Sequence, residues 1–110
     1  MRNNRFTICA ILLTALLGCD AVICSSHHTV VLLDFTAKWC GPCIANAPAI
    51  NEIERDGRGR VRVDRIDVDE RPALAQRYRI TDVPTYVVLV DGREIGRYND
   101  PLKVRAKLGM

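Results

Sequence analysis

The feature that most constrains this chain is the decapeptide Asp34-Phe35-Thr36-Ala37-Lys38-Trp39-Cys40-Gly41-Pro42-Cys43. It follows the apolar run Val30-Val31-Leu32-Leu33 and leads into a segment that reads as a helix. Two cysteines at i and i+3 at the start of a helix lie on one side of it, within reach of each other. A sulfur at a helix N-terminus faces unpaired N–H groups and the positive end of the helix dipole, which favours thiolate over thiol. One sulfur can then attack a disulfide and the other can resolve the mixed disulfide, which is the apparatus of thiol–disulfide exchange.

Two other uses of a Cys-x-x-Cys pair fit less well. Zinc needs two further ligands at metal spacing. The remaining candidates are Cys24 and the pair His27-His28, all upstream in one short stretch, and no second Cys-x-x-Cys occurs. A purely structural disulfide across so short a loop gains little chain entropy and is usually labile. Redox chemistry is the favoured reading, with no metal and no cofactor beyond the Cys40–Cys43 pair.

The element order reads coarsely as follows. Thr29 to Phe35 is a buried strand, apolar after Thr29 except for Asp34. A helix is expected from Cys40 to about Arg55, with Ile44, Ile50 and Ile53 as core candidates and Pro48 bending it. Asp56-Gly57-Arg58-Gly59 is a turn, and Arg60 to Val68 alternates as a strand. Asp69-Glu70-Arg71-Pro72 looks like a helix start with acids in the first turn, and that helix ends near Tyr78. Thr85 to Val90 is a β-branched, aromatic strand, Asp91-Gly92 a hairpin turn and Glu94 to Tyr98 the returning strand. Pro101 to Leu108 is a short last helix capped by Asp100. The expected fold class is α/β, a mixed four-stranded sheet with flanking helices.

These points in order resemble the thioredoxin family, whose signature is Trp-Cys-Gly-Pro-Cys. Besides Trp39-Cys40-Gly41-Pro42-Cys43, Asp34 stands where the family keeps a buried carboxylate. Pro48 matches its helix-kinking proline, Val83-Pro84-Thr85 its cis-proline segment and Asp91-Gly92 its late hairpin. The resemblance covers roughly Thr29 to Leu108. It implies a thioredoxin-like fold, here lacking the usual N-terminal strand and helix, because only about ten residues lie between Cys19 and Val30.

The resemblance also implies roles. Cys40 is the exposed, attacking sulfur and Cys43 the resolving thiol held deeper. Asp34 assists proton transfer at the buried thiol, and a carboxylate buried without a partner has a raised pKa. The alternative for Asp34 is a structural charge pair with Lys38 or Arg65. Arg65 aligns with a family lysine near the carboxylate and, being unable to lose its proton, would favour ionised Asp34. Trp39 shields the cysteines and, with Gly41 and Pro42, forms substrate surface; its alternative is core packing. Pro84 is expected in the cis form, with Val83 offering backbone groups to an extended substrate peptide.

The N-terminus reads as a secretory signal over residues 1–18. Met1 to Arg5 is basic and Phe6 to Leu17 is almost wholly apolar, too short for a comfortable membrane span. Leu16-Leu17-Gly18-Cys19 resembles a bacterial lipobox, making Cys19 the expected lipidation site and residues 19–28 a tether before a domain over 29–110. Asp20 resembles an inner-membrane retention signal. An uncleaved anchor or ordinary cleavage beyond Cys19 are the alternatives. His27-His28 is most simply part of the tether.

Composition excludes other classes. The formal charge of +3 falls to about +1 once Arg2 and Arg5 leave with the signal. Arg58, Arg60, Arg62 and Arg65 are interspersed with Gly59, Val61, Val63 and Asp64, as on the solvated face of an edge or entry strand, and aromatics for base stacking are few. Nucleic acid is therefore not an expected partner. The combined expectation is a monomeric, lipid-anchored, periplasm-facing protein-disulfide reductase. Its partners would be protein disulfides or dithiols, and a membrane thiol carrier would supply its electrons. A disulfide oxidase or isomerase, or a redox-inactive assembly module, are the alternatives.

Overall fold

The computed structural model describes residues 28–110. Four strands and three helices follow one another as β1 (Val30–Thr36), α1 (Gly41–Asp56), β2 (Val61–Asp67), α2 (Pro72–Arg77), β3 (Thr85–Val90), β4 (Arg93–Tyr98) and α3 (Pro101–Lys107). The sheet order is β2-β1-β3-β4. β1 runs parallel to β2 and antiparallel to β3, and β3 and β4 form an antiparallel hairpin. This is a thioredoxin-like α/β fold with a mixed sheet, as expected. The predicted lack of a strand and helix before β1, the signal over 1–18, Cys19 and Cys24 all lie outside the described residues.

β1 is apolar on both faces because both are covered. Leu32 packs with Ile50 and Ile53 of α1, Val61 and Val63 of β2, Tyr86 and Val88 of β3, and Val104 of α3. Val31, Leu33 and Phe35 turn to the other face and pack with Ile66, Val87 and Leu89, joined by Leu74, Tyr78, Ile80 and Val83. Thus α1 and α3 cover one face and α2 the other. β2 is an edge strand, and its Arg62 and Arg65 are exposed.

Local signals set most boundaries. Asp91 and Gly92 both have positive φ, 52° and 82°, as a tight hairpin turn requires. Asp100 caps α3 by accepting the Leu102 N–H at 2.9 Å, with Pro101 in the first turn. Helix α1 continues through Pro48.

Two expectations need correction. Ile44 is not a core residue; it is 63% exposed. It lies nine residues before Ile53, about two and a half turns, and so points away from the sheet. Cys43, about two turns before Ile50, shares the buried face. Asp69 and Glu70 are not in the first turn of α2, whose N-cap is Arg71. They form a turn in which the Asp67 carboxylate accepts their N–H groups at 2.8 and 3.3 Å.

The two isoleucines make a test of this orientation. Ile53→Ala should cost about 2–5 kcal/mol in urea unfolding through the cavity it leaves. Ile44→Ala should stay within about 0.5 kcal/mol of the parent. Similar losses for both would mean that α1 is rotated from the arrangement described.

Candidate active site

The crossover from β1 to α1 places Cys40 at the N-cap of α1 and Cys43 in its first turn, with Pro42 where a missing N–H leaves no bond unmade. The two sulfurs are joined in a disulfide. The Cys43 N–H is directed at Cys40 Sγ, 3.1 Å away. Cys40 Sγ thus occupies the place of a capping oxygen, facing the donor groups and the dipole of the helix start.

Cys40 is not an exposed residue. Cys40 is 3% exposed and Cys43 7%, so accessibility does not distinguish them in the closed disulfide. Both pack with Ala37, and Val68 and Val83 lie against them. What separates the sulfurs is position, one at the cap and one inside the helix.

Trp39 is not core packing: it is 69% exposed. Its indole N–H donates to Asp69 at 2.8 Å, and the neighbouring Lys38 pairs with Glu70 at 3.2 Å. The loop after β2 therefore contacts both residues that precede the cysteines. Sequence reasoning read Asp69 and Glu70 as helix-start acids and missed this role. Gly41 and Pro42 are exposed beside Trp39, the Val83–Pro84 peptide is cis, and Pro84 is buried.

Asp34 is buried, on the sheet face that α1 covers. Burial pushes its carboxyl up to about 6, and the Arg65 guanidinium opposes this without cancelling it. No ion pair forms between them. Arg65 bonds Glu54 at 3.1 Å and Asn51 on α1, and Lys38 is occupied by Glu70. The charge-pair alternative is thereby removed. Strand register sets Arg65, Asp34, Tyr86 and Tyr98 side by side in one row across the sheet. Tyr86 is fully buried; burial pushes its phenol up, and a hydrogen bond with Asn46 of α1 partly offsets this. Asn46 and Tyr86 carried no sequence signal as a pair.

A groove of about 660 Å³ runs beside β2 and the second half of α1, lined by residues including Asn51, Arg58 and Arg62. Neither cysteine lines it. At the hairpin turn, His28 Nδ1 meets the Asp91 carboxylate at 2.7 Å and the Thr29 N–H donates to it at 2.9 Å. These contacts hold the Asp91 carboxyl below its usual range and fasten the end of the segment read as a tether.

The thioredoxin family model matches residues 20–108. The chain belongs to the thioredoxin family. The thioredoxin of Staphylococcus aureus is 40% identical over 68 residues, covering 62% of this chain and 65% of that protein. This chain thus spans less than two thirds of that relative. Among solved structures, the germline-specific thioredoxin Deadhead of Drosophila melanogaster superposes with a TM-score of 0.71 at 27% identity, covering 82% of this chain and 87% of that one. Mitochondrial thioredoxin 3 of Saccharomyces cerevisiae, in its oxidised form, gives a TM-score of 0.68 at 32% identity, over 73% and 76%.

The buried carboxylate has a consequence for stability. With the folded pKa raised, the native state holds a proton between about pH 4 and 6 that the unfolded chain has released. Its contribution to stability falls as pH rises through that window and is flat above it. Asp34→Asn should therefore gain about 2 kcal/mol over the parent at pH 7.5, with the difference shrinking toward pH 4. Urea unfolding of both oxidised proteins across this range checks it; an equal or lower stability of Asp34→Asn at pH 7.5 would contradict the burial argument.

Proposed function

We propose that this chain is a membrane-tethered thiol–disulfide oxidoreductase that works as a protein-disulfide reductase. The observation that carries the oxidoreductase part of this reading is the Cys40–Cys43 disulfide at the start of α1, with the Cys43 N–H aimed at Cys40 Sγ. The same geometry in the reduced form would stabilise a Cys40 thiolate.

The reaction balances on these residues. Cys40 thiolate attacks one sulfur of a substrate disulfide, forming a mixed disulfide and releasing the other sulfur as a thiolate that takes up a proton. Cys43 then gives up its proton and attacks Cys40 Sγ. The Cys40–Cys43 bond forms, the mixed disulfide breaks, and the substrate leaves as a dithiol. Two electrons pass from the cysteine pair to the substrate. Asp34 is the proposed proton acceptor for Cys43. Its raised pKa brings its proton affinity nearer to a thiol's while leaving it ionised above neutrality. Trp39, Gly41, Pro42, Val83 and Pro84 are the proposed substrate surface, and Arg65 a supporting charge.

The reducing direction rests on Gly41-Pro42 between the cysteines, which resembles reducing thioredoxins. Such couples lie about 150 mV below those of the strong oxidants. The tether rests on the residue pattern of 1–19, with Cys19 carrying lipid and Asp20 favouring the inner membrane. In an oxidising compartment a membrane thiol carrier would have to re-reduce the pair. No helix among the described residues is long and apolar enough to cross a membrane.

Cys40→Ser should abolish insulin reduction, and Cys43→Ser should accumulate mixed disulfides with substrates, visible on non-reducing gels. Equal trapping by both variants would remove the assignment of attacker and resolver. A couple in the oxidant range against glutathione would favour the oxidase reading.

The anchor is tested separately. Mass spectrometry of the mature N-terminus should find Cys19 acylated, and Cys19→Ala should leave the membrane fraction or stall in processing. Each buried methylene contributes about 0.8 kcal/mol, so losing the chains should be plain in fractionation. An unmodified Cys19 would rule out the lipid anchor.

A further inference from the structure

Beyond the cysteines, α1 presents an uncharged surface. No residue from Trp39 to Asn51 carries a charge. Gly41, Ile44, Ala45 and Pro48 recur at helical spacing, and all are exposed. Ile44 is one of the large hydrophobic side chains most open to solvent, comparable with Trp39. The strip begins beside Cys40 and runs about 10 Å down the helix before Glu52 ends it.

The chemistry proposed above brings a substrate to the head of this strip. In the mixed disulfide a substrate sulfur is bonded to Cys40 Sγ, so the substrate backbone is pinned at the head of the strip. An extended peptide advances about 3.3 Å per residue, so a side chain one to three residues from the substrate cysteine is within reach of the strip. A strip of isoleucine, alanine and proline falls far short of the roughly 800 Å² per partner of a stable dimer, which disfavours a second copy as occupant.

We propose that Ile44, flanked by Ala45 and Pro48, seats an apolar side chain close to the substrate cysteine, so that the chain prefers disulfides flanked by apolar residues. This rests on the oxidoreductase reading and adds a specificity-determining residue to it. The apolar side chain loses water against Ile44 in the mixed disulfide, and a polar one gains nothing there.

The test uses the reduced protein and two disulfide peptides identical except for leucine or serine at the positions flanking the cysteines. Each rate is normalised to that of the same peptide with dithiothreitol. The leucine peptide should show about tenfold higher kcat/KM, the low end for an apolar contact. Ile44→Ser should bring the ratio close to one with an unchanged thermal midpoint, and Ile44→Leu should keep it. No preference in the parent, or a preference that persists in folded Ile44→Ser, overturns the inference and leaves the oxidoreductase reading standing. Failure to reduce either peptide overturns both.

Discussion

The central position of β1 is the constraint from which the site follows. Pairing with β2 on one side and β3 on the other, and covered on both faces, it can move nowhere without unpacking the domain. Its end therefore fixes where the chain emerges and where α1 begins. The cysteines sit at that emergence, with Cys40 capping the helix and the Cys43 N–H turned toward its sulfur. Asp69 and Glu70, in the loop after β2, bond Trp39 and Lys38.

Helix α1 divides its labour by face. Ile50 and Ile53 meet the sheet, and Cys43 joins that side about two turns earlier. The opposite face carries Ile44, Ala45 and Pro48 into solvent. The buried face anchors the redox pair, which leaves the exposed face free to meet other molecules. The same rotation about the helix axis thus decides both stability and the surface beside the cysteines.

The electrostatics are set by what is absent near Asp34 as much as by what is present. Arg65 is its neighbour in register, yet its guanidinium is bound to Glu54 and Asn51. With that cation diverted and Tyr86 packed on the other side, desolvation outweighs attraction and the carboxyl rises to about 6. A buried carboxylate in this condition costs stability above neutrality.

Sequence alone determined the features that depend on neighbouring residues. The apolar run of β1, the Asp91-Gly92 turn, the Asp100 cap and the cysteine pair at a helix start all rest on contacts within a few residues. Their conformational preferences are therefore legible in order along the chain. The burial of Asp34 was legible for the same reason, as one carboxylate in an apolar strand. Tertiary structure decided the rest. Trp39 with Asp69, Asn46 with Tyr86 and His28 with Asp91 join residues far apart in sequence, and such pairs exist only once the sheet has closed. The outward turn of Ile44 and the burial of Cys40 likewise depend on which face of α1 meets the sheet. Hydrophobicity names candidates for burial, but only packing assigns them a side.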